Sequence, residues 1–405
     1  MSTVLERFLR YVKIDTQSDD TSGKSPSTAS QHDLAALLFD ELKAMGIEDV
    51  RYDREHCYIY ATIPQTDDSF KDTVGFIAHM DTSPEVSGKN VNPKIVEYKG
   101  GDIPLGAGYT LSPESFPELS AYIGKTLITT DGTTLLGADD KAGIAEIMAM
   151  AEILCADKSI PHGKIAIAFT PDEEIGEGPN HFDVAGFSAD YAYTVDGGRL
   201  GELEYENFNG ASGSVKVTGK SVHPGEAKDK MVNASLVAME VEALLPRLEK
   251  PEHTEGYEGF YHLTEMKGAI EEAELFYIIR DHDREKFEEK KSNFERVAAI
   301  LNEKYGEGTV ITEVTDSYYN MREKIEDGYM FLIDRAKECM EALGITPEVR
   351  PIRGGTDGAR LSFMGLPCPN LCTGGHNFHG RYEFCCLESM EAITALLIKL
   401  ATYKS

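Results

Sequence analysis

Four times in its first half the chain runs through a short apolar stretch and halts on acidic or histidine residues. Residues 73–78 end at His79-Met80-Asp81 and 126–136 at Gly137-Ala138-Asp139-Asp140-Lys141, while 164–169 end at Thr170-Pro171-Asp172-Glu173-Glu174 and 191–195 at Asp196-Gly197-Gly198. A continuous apolar run with such punctuation suits a strand buried on both faces of a parallel sheet. After the second run, Ile144, Ile147, Met148, Ala151 and Leu154 recur at helical spacing. Asp139 and Asp140 therefore fall at a strand-to-helix turn, where Gly137 and Gly143 let the backbone bend. In open α/β sheets the loops leaving the C-terminal strand ends converge on one crevice. The pattern predicts an α/β domain, a mostly parallel sheet with flanking helices, that gathers His79, Asp81, Asp139, Glu173, Glu174 and Asp196 at one edge.

The rest of the chain divides around that domain. Leu5, Phe8, Leu9 and Val12 mark an amphipathic first helix; a second follows with Ser30 as its expected N-cap and Gly46 after its end. Between 82 and 120 the density of Gly, Pro and Asn predicts an irregular excursion. After about Asn207 the order changes to strand (211–219), helix (233–248), strands (259–270 and 273–280), helix (283–305) and strand (309–315). That β-α-β-β-α-β order is the ferredoxin-like one. Residues 208–320 are thus expected to form an inserted α+β domain, and 1–207 with 321–405 the catalytic α/β domain. The later part supplies a helix ending near Gly344, strands at 347–352 and 370–373, the loop 353–358, the pair His376 and His379, and a final helix from Leu387.

Charge narrows the partners. With 40 Lys+Arg against 69 Asp+Glu the formal charge is -29, which repels polyanions and argues against nucleic acid or an anionic membrane. No apolar run approaches the about 20 residues that span a bilayer. The seven cysteines are odd in number and scattered, so they form no disulfide framework and fit a reducing cytoplasm. Cys368 and Cys372 lie on a strand without a second pair and are not read as a metal site, and Cys385 and Cys386 are read as buried small residues.

Histidine with carboxylate is the ligand chemistry of zinc or a similar divalent ion. Two divalent ions bring +4; Asp139, Glu174, Asp196 and one hydroxide bring -4, so with neutral histidines the site balances. His79 and Asp81, two apart at a strand end, leave on the same side, and Asp81 suits the carboxylate behind a ligating imidazole. Glu173 and Glu174 read as general base and ligand without the spacing saying which is which. Either Asp139 or Asp140, and either His376 or His379, remains open on the residues alone.

The set His79-Met80-Asp81-Thr82, Gly137 to Lys141, Pro171 to Glu174, Val195 to Gly198, Ser221-Val222-His223-Pro224-Gly225 and His379 resembles the two-zinc exopeptidase and deacylase family that includes carboxypeptidase G and aminoacylase. Segments such as Tyr277 to Asp281 and Pro351 to Gly358 resemble most its cytoplasmic tripeptide aminopeptidases of bacteria. The resemblance implies two Zn2+ per subunit, with His79, Asp139 and Asp196 on one ion and Asp139, Glu174 and His379 on the other. It implies Glu173 as the general base on a metal-bridging water, Asp81 behind His79, and a cis peptide between Asp139 and Asp140. It implies a small peptide substrate, a tripeptide losing its N-terminal residue, with His223 assisting at the oxyanion and Arg280 and Arg353 clamping the far carboxylate. In dimeric relatives that histidine reaches the partner subunit, which leaves room for a homodimer through the inserted domain. A carboxypeptidase or deacylase would share every metal residue; a non-catalytic binding module would have lost the base or ligands, and none is missing.

Overall fold

Small and branched apolar residues alternate through Ile165–Thr170, so the strand can be packed on both faces, and all six residues are buried; so are all six of Val74–His79. The computed structural model describes residues 3–404, and the chain forms two units. The first comprises Met1–Tyr205, Glu323–Arg350 and Thr356–Ser405; the second comprises Glu206–Arg322 and Pro351–Gly355.

The first unit is built on an eight-stranded sheet whose order is Asp49–Asp53, Tyr58–Ile63, Ile165–Thr170, Val74–His79, Tyr191–Gly197, Asn370–Cys372, Glu202–Asn207 and Glu348–Ile352. Its middle four strands are parallel, while Tyr58–Ile63 and Glu202–Asn207 pair antiparallel beside them. The helix Ala138–Ala156 is buried almost all round. It packs on strands Val74–His79 and Tyr191–Gly197 and against helices Thr3–Tyr11 and Leu387–Ala401. Gly143 permits the approach, since a Cβ there would stand 1.9 Å from the Val195 carbonyl oxygen. A second apolar cluster includes Tyr58, Ile77, Phe182, Phe187 and Leu361.

Several expectations are corrected. Only Thr126–Thr129 of the 126–136 run is a strand, and it belongs to a separate four-stranded antiparallel sheet with Lys94–Glu97, Phe384–Cys386 and Gly375–His376. The Thr130 hydroxyl, donating to Thr134 O and accepting from Gly132 N, turns the chain out of the strand. The excursion 82–120 holds further strands, Lys94–Glu97, Ile103–Gly106 and Tyr109–Leu111, around Tyr98, Leu105, Leu111, Leu119 and Leu127. Ser30 has helical backbone angles and makes no side-chain cap of Gln31–Ala44. The loop at 353–358 runs into a helix, Asp357–Phe363.

In the second unit the strands stand in the order Phe260–Gly268, Glu272–Asp281, Asn209–Thr218, Val310–Tyr318, all antiparallel. Helices Ala234–Leu244 and Arg284–Tyr305 are capped by Asn233 and Asp283, whose side chains accept from Ser235 N and Lys286 N. Val215, Val237, Val241, Leu275, Phe287 and Phe294 form its core. At the unit's edge three buried asparagines lock together. Asn320 Oδ1 accepts from Asn207 N and Arg322 N while its Nδ2 donates to His282 O; Asn209 Oδ1 accepts from Asn320 N and Asn207 Oδ1 from Met321 N. Among the described residues no helix is long and apolar enough to cross a membrane.

Candidate metal centre

The C-terminal ends of the parallel strands deliver His79, Thr170 with the turn after it, and Asp196 to one edge, as strand polarity requires. His79 is 2% exposed. Its Nδ1 lies 3.1 Å from Asp81 O and 3.3 Å from Asp81 Oδ1. Acceptors on that side place the proton of the neutral ring on Nδ1 and turn the Nε2 lone pair outward. Nε2 stands 2.8 Å from Asp139 Oδ1 and 3.3 Å from Asp196 Oδ1.

Asp81 is fully buried and has a second task. Its Oδ1 accepts from Glu173 N at 3.0 Å and its Oδ2 from Glu174 N at 3.1 Å. One carboxylate thus orients the imidazole and the backbone of both glutamates. Asp172 anchors the same turn in a left-handed conformation (φ 55°), with its carboxylate accepting from Ser27 N at 2.7 Å and Gln31 Nε2 at 2.6 Å. From beneath, Asp357 accepts from Thr170 Oγ1 at 2.7 Å.

Across the site, His379 Nε2 is 2.9 Å from Glu174 Oε2 and 3.2 Å from Asp139 Oδ2. The two oxygens of Asp139 therefore face two imidazoles, Oδ1 toward His79 and Oδ2 toward His379, which is the disposition of a bridging carboxylate. The peptide between Asp139 and Asp140 is cis. Asp140 also comes near His79 and Asp196, but its oxygens accept from His79 N and Gly143 N, each at 3.2 Å. Backbone N–H groups thus engage both oxygens of Asp140, while those of Asp139 face the imidazoles.

His376 goes elsewhere. Its Nε2 is 2.5 Å from Tyr122 Oη and its ring stacks on Phe384 at 4.7 Å, while burial pushes its pKa down to about 4. A further carboxylate, Glu383, carries no sequence signal: it is a lone acid between Tyr382 and Phe384. Folded, it accepts from four successive backbone N–H groups, those of Leu136, Gly137, Ala138 and Asp139, at 2.6 to 3.2 Å.

The electrostatics are those of a site short of positive charge. Burial raises Glu174 to about 8 and Asp196 to about 6. Burial, then the charge of Asp196, raises Glu173 well above the usual carboxylate range. Burial disfavours charged imidazoles, yet the carboxylates facing them prevail and raise His79 and His379, the latter to about 11. Burial also opposes ionisation of Asp139, but hydrogen bonds from His379 and His79 hold it below the carboxylate range. Protons here stand where cations would. Glu174 Oε1, buried without a hydrogen-bond partner among the described residues, gives the same reading, and the oxygen and imidazole donors suit divalent ions. The residues fit a pair of them.

His223, Arg280 and Arg353 belong to the second unit. His223 is exposed and its Nδ1 accepts from Gly225 N at 3.2 Å, which leaves Nε2–H free to donate. Arg280 lies over the Tyr318 ring at 4.8 Å with no carboxylate paired to it among the described residues. Arg353 is spent within its own unit: it donates to Gly256 O, Glu258 O and Thr254 Oγ1 at 2.6, 3.1 and 3.0 Å and stacks over Phe208. Both of its terminal nitrogens thus already have acceptors within that unit.

Residues 205–309 match the family model described as a peptidase dimerisation domain. Over their full lengths the chain resembles the peptidase T of Alkaliphilus oremlandii, 57% identical over 405 residues (99% of this chain, 98% of that one). The peptidase T of Geobacillus kaustophilus is 56% identical over 400 residues (98% and 97%). The crystal structure of aminopeptidase PepT from Bacillus cereus shares the fold, with a TM-score of 0.76 at 24% identity over 99% of this chain and 97% of that one. So does a dinuclear metal-binding peptidase of Bacillus subtilis, with a TM-score of 0.67 at 14% identity over 98% and 96%. More than half of the residues are shared along essentially the whole chain, and by that measure the chain belongs to the peptidase T family.

Proposed function

We propose that this chain is a tripeptide aminopeptidase that works with two bound zinc ions. The observation that carries the reading is the placement of Asp139 between two imidazoles, with Glu173 on a turn whose backbone Asp81 holds. His79, Asp139 and Asp196 would hold one ion, and Asp139, Glu174 and His379 the other. Bound there, a pair of divalent ions supplies Lewis-acid polarisation of the scissile carbonyl and a more acidic water.

The chain's own residues do the rest. Glu173 takes a proton from the attacking water as the new C–O bond forms, and gives it to the amide nitrogen as the C–N bond breaks. Asp81 keeps Glu173 in reach of both atoms by fixing its backbone, and keeps the His79 tautomer constant. His223, through its free Nε2–H, donates to the developing oxyanion. Arg280, which pairs with no carboxylate among the described residues, takes the substrate's terminal carboxylate. The exposed Leu236, Met239 and Leu244 of helix Ala234–Leu244 support a homodimer through the inserted unit.

The test is a metal count by emission spectroscopy with tripeptide hydrolysis before and after chelation. We expect two zinc ions per chain, loss of activity on their removal and recovery on readdition. Full turnover by metal-free protein would end the proposal. Preference for an N-acylated amino acid over a free tripeptide would replace it with the deacylase reading.

A further inference from the structure

We infer that Glu383 is a positioning residue that staples together the two chain segments carrying Asp139 and His379. The inference rests on the two-metal reading above. Glu383 is 1% exposed. Its Oε2 accepts from Leu136 N at 2.6 Å and Gly137 N at 2.9 Å, and its Oε1 from Ala138 N at 2.7 Å and Asp139 N at 3.2 Å.

An ordinary helix cap satisfies one or two N–H groups with a nearby side chain. Here four consecutive N–H groups, made concave by the left-handed Gly137 (φ 81°), form an anion-binding nest, and a carboxylate more than 240 residues away in sequence fills it. Two consequences follow. The nest, which precedes the kink at Asp139 and Asp140, is closed to any external anion, so a substrate carboxylate cannot be taken there. The Asp139 backbone is also tied to the segment that holds His379, only four residues before Glu383.

His379 needs such a tie. Its side chain is 41% exposed and its backbone is left-handed at φ 62°. Hydrogen bonds within its segment are sparse, Asn377 Nδ2 to Tyr382 O at 3.2 Å and Glu383 N to Gly380 O at 3.4 Å. Beyond Glu383 the chain is held by pairing of Phe384 with Thr129. Glu383 therefore sets the spacing between Asp139 and His379 without touching substrate or donor atoms.

In Glu383→Gln one oxygen remains for two of the N–H groups, and the new NH2 opposes the other two. We expect a folded variant that needs about 10- to 100-fold more free zinc for half-saturation, measured by competition with a chromogenic chelator. At saturating zinc we expect kcat within a few-fold of wild type. Should the glutamine variant not fold, Glu383→Asp, which keeps the charge on a shorter stem, is measured in the same way. Wild-type zinc affinity in a folded variant overturns the inference. So does normal binding with lost turnover, or failure of both variants to fold, which would make Glu383 a general folding residue. Absence of zinc from the wild-type protein would instead defeat the two-metal reading, so the two failures are told apart.

Discussion

The two units bury polar groups in opposite ways. At the second unit's edge Asn207, Asn209 and Asn320 are neutral, and their side chains answer backbone groups, some of them one another's. At the sheet edge of the first unit the buried groups are carboxylates and imidazoles crowded within 2.8 to 3.3 Å, and one oxygen of Glu174 is left unmatched. A satisfied network rigidifies; an acidic cluster this dense is unfavourable until cations or protons arrive. The contrast separates a site organised for a ligand from one organised for the fold.

Substitutions test that separation. Glu173→Ala should have the largest effect, lowering kcat by about 1,000-fold or more while zinc content stays at the wild-type value; near-normal turnover would remove Glu173 from its role. Asp81→Asn should come next, because it loosens His79 and both glutamate N–H groups at once. We expect zinc affinity or activity to fall about 10- to 100-fold, and an unchanged variant would show that the buried carboxylate is ordinary structure.

The second unit should respond differently. Arg280→Ala should raise KM for tripeptides about tenfold, the worth of a charge-assisted hydrogen bond, with kcat little moved. Arg353→Ala should leave KM close to wild type, because its donors already serve 254–258. A reversed pair of KM values would restore Arg353 as the clamp. Asn320→Ala should scarcely alter activity or zinc content. It removes the side-chain acceptor of Asn207 N and Arg322 N and one of the two amide donors to His282 O, so denaturant unfolding should show a loss of about 2–3 kcal/mol. If zinc is lost as well, the two units are not separable in the way their polar groups suggest.

Much of the frame was legible in the sequence where local chemistry had one solution. Continuous apolar runs can be satisfied only between two covered faces, so 73–78, 164–169 and 191–195 read as strands, and the strands Val74–His79, Ile165–Thr170 and Tyr191–Gly197 stand there. Alternation and helical spacing carried the β-α-β-β-α-β order of the inserted unit for the same reason. Reading failed where pairing is short and partners are distant. Lys94–Glu97, Ile103–Gly106 and Tyr109–Leu111 are strands of three or four residues among glycines and prolines, and only their mutual packing makes them so. Thr126–Thr129 was visible as a strand, but the sheet that takes it was not. Ser30 had the composition of a cap and lacks the backbone angles for one.

Residue chemistry alone determined the α/β frame and its acidic edge, and the resemblance its motifs carry named His79, Asp81, Asp139, Glu173, Glu174, Asp196 and His379 as the candidate set. Those inferences need only strand polarity and the identity of the side chains. Tertiary structure decided between neighbours that local sequence left equal. Asp139 rather than Asp140 faces the imidazoles because two backbone N–H groups claim Asp140. His379 rather than His376 joins them because Tyr122 and Phe384 hold His376 away. Glu383 entered only through folding, because a nest of four N–H groups exists only once the turn at Gly137 has formed.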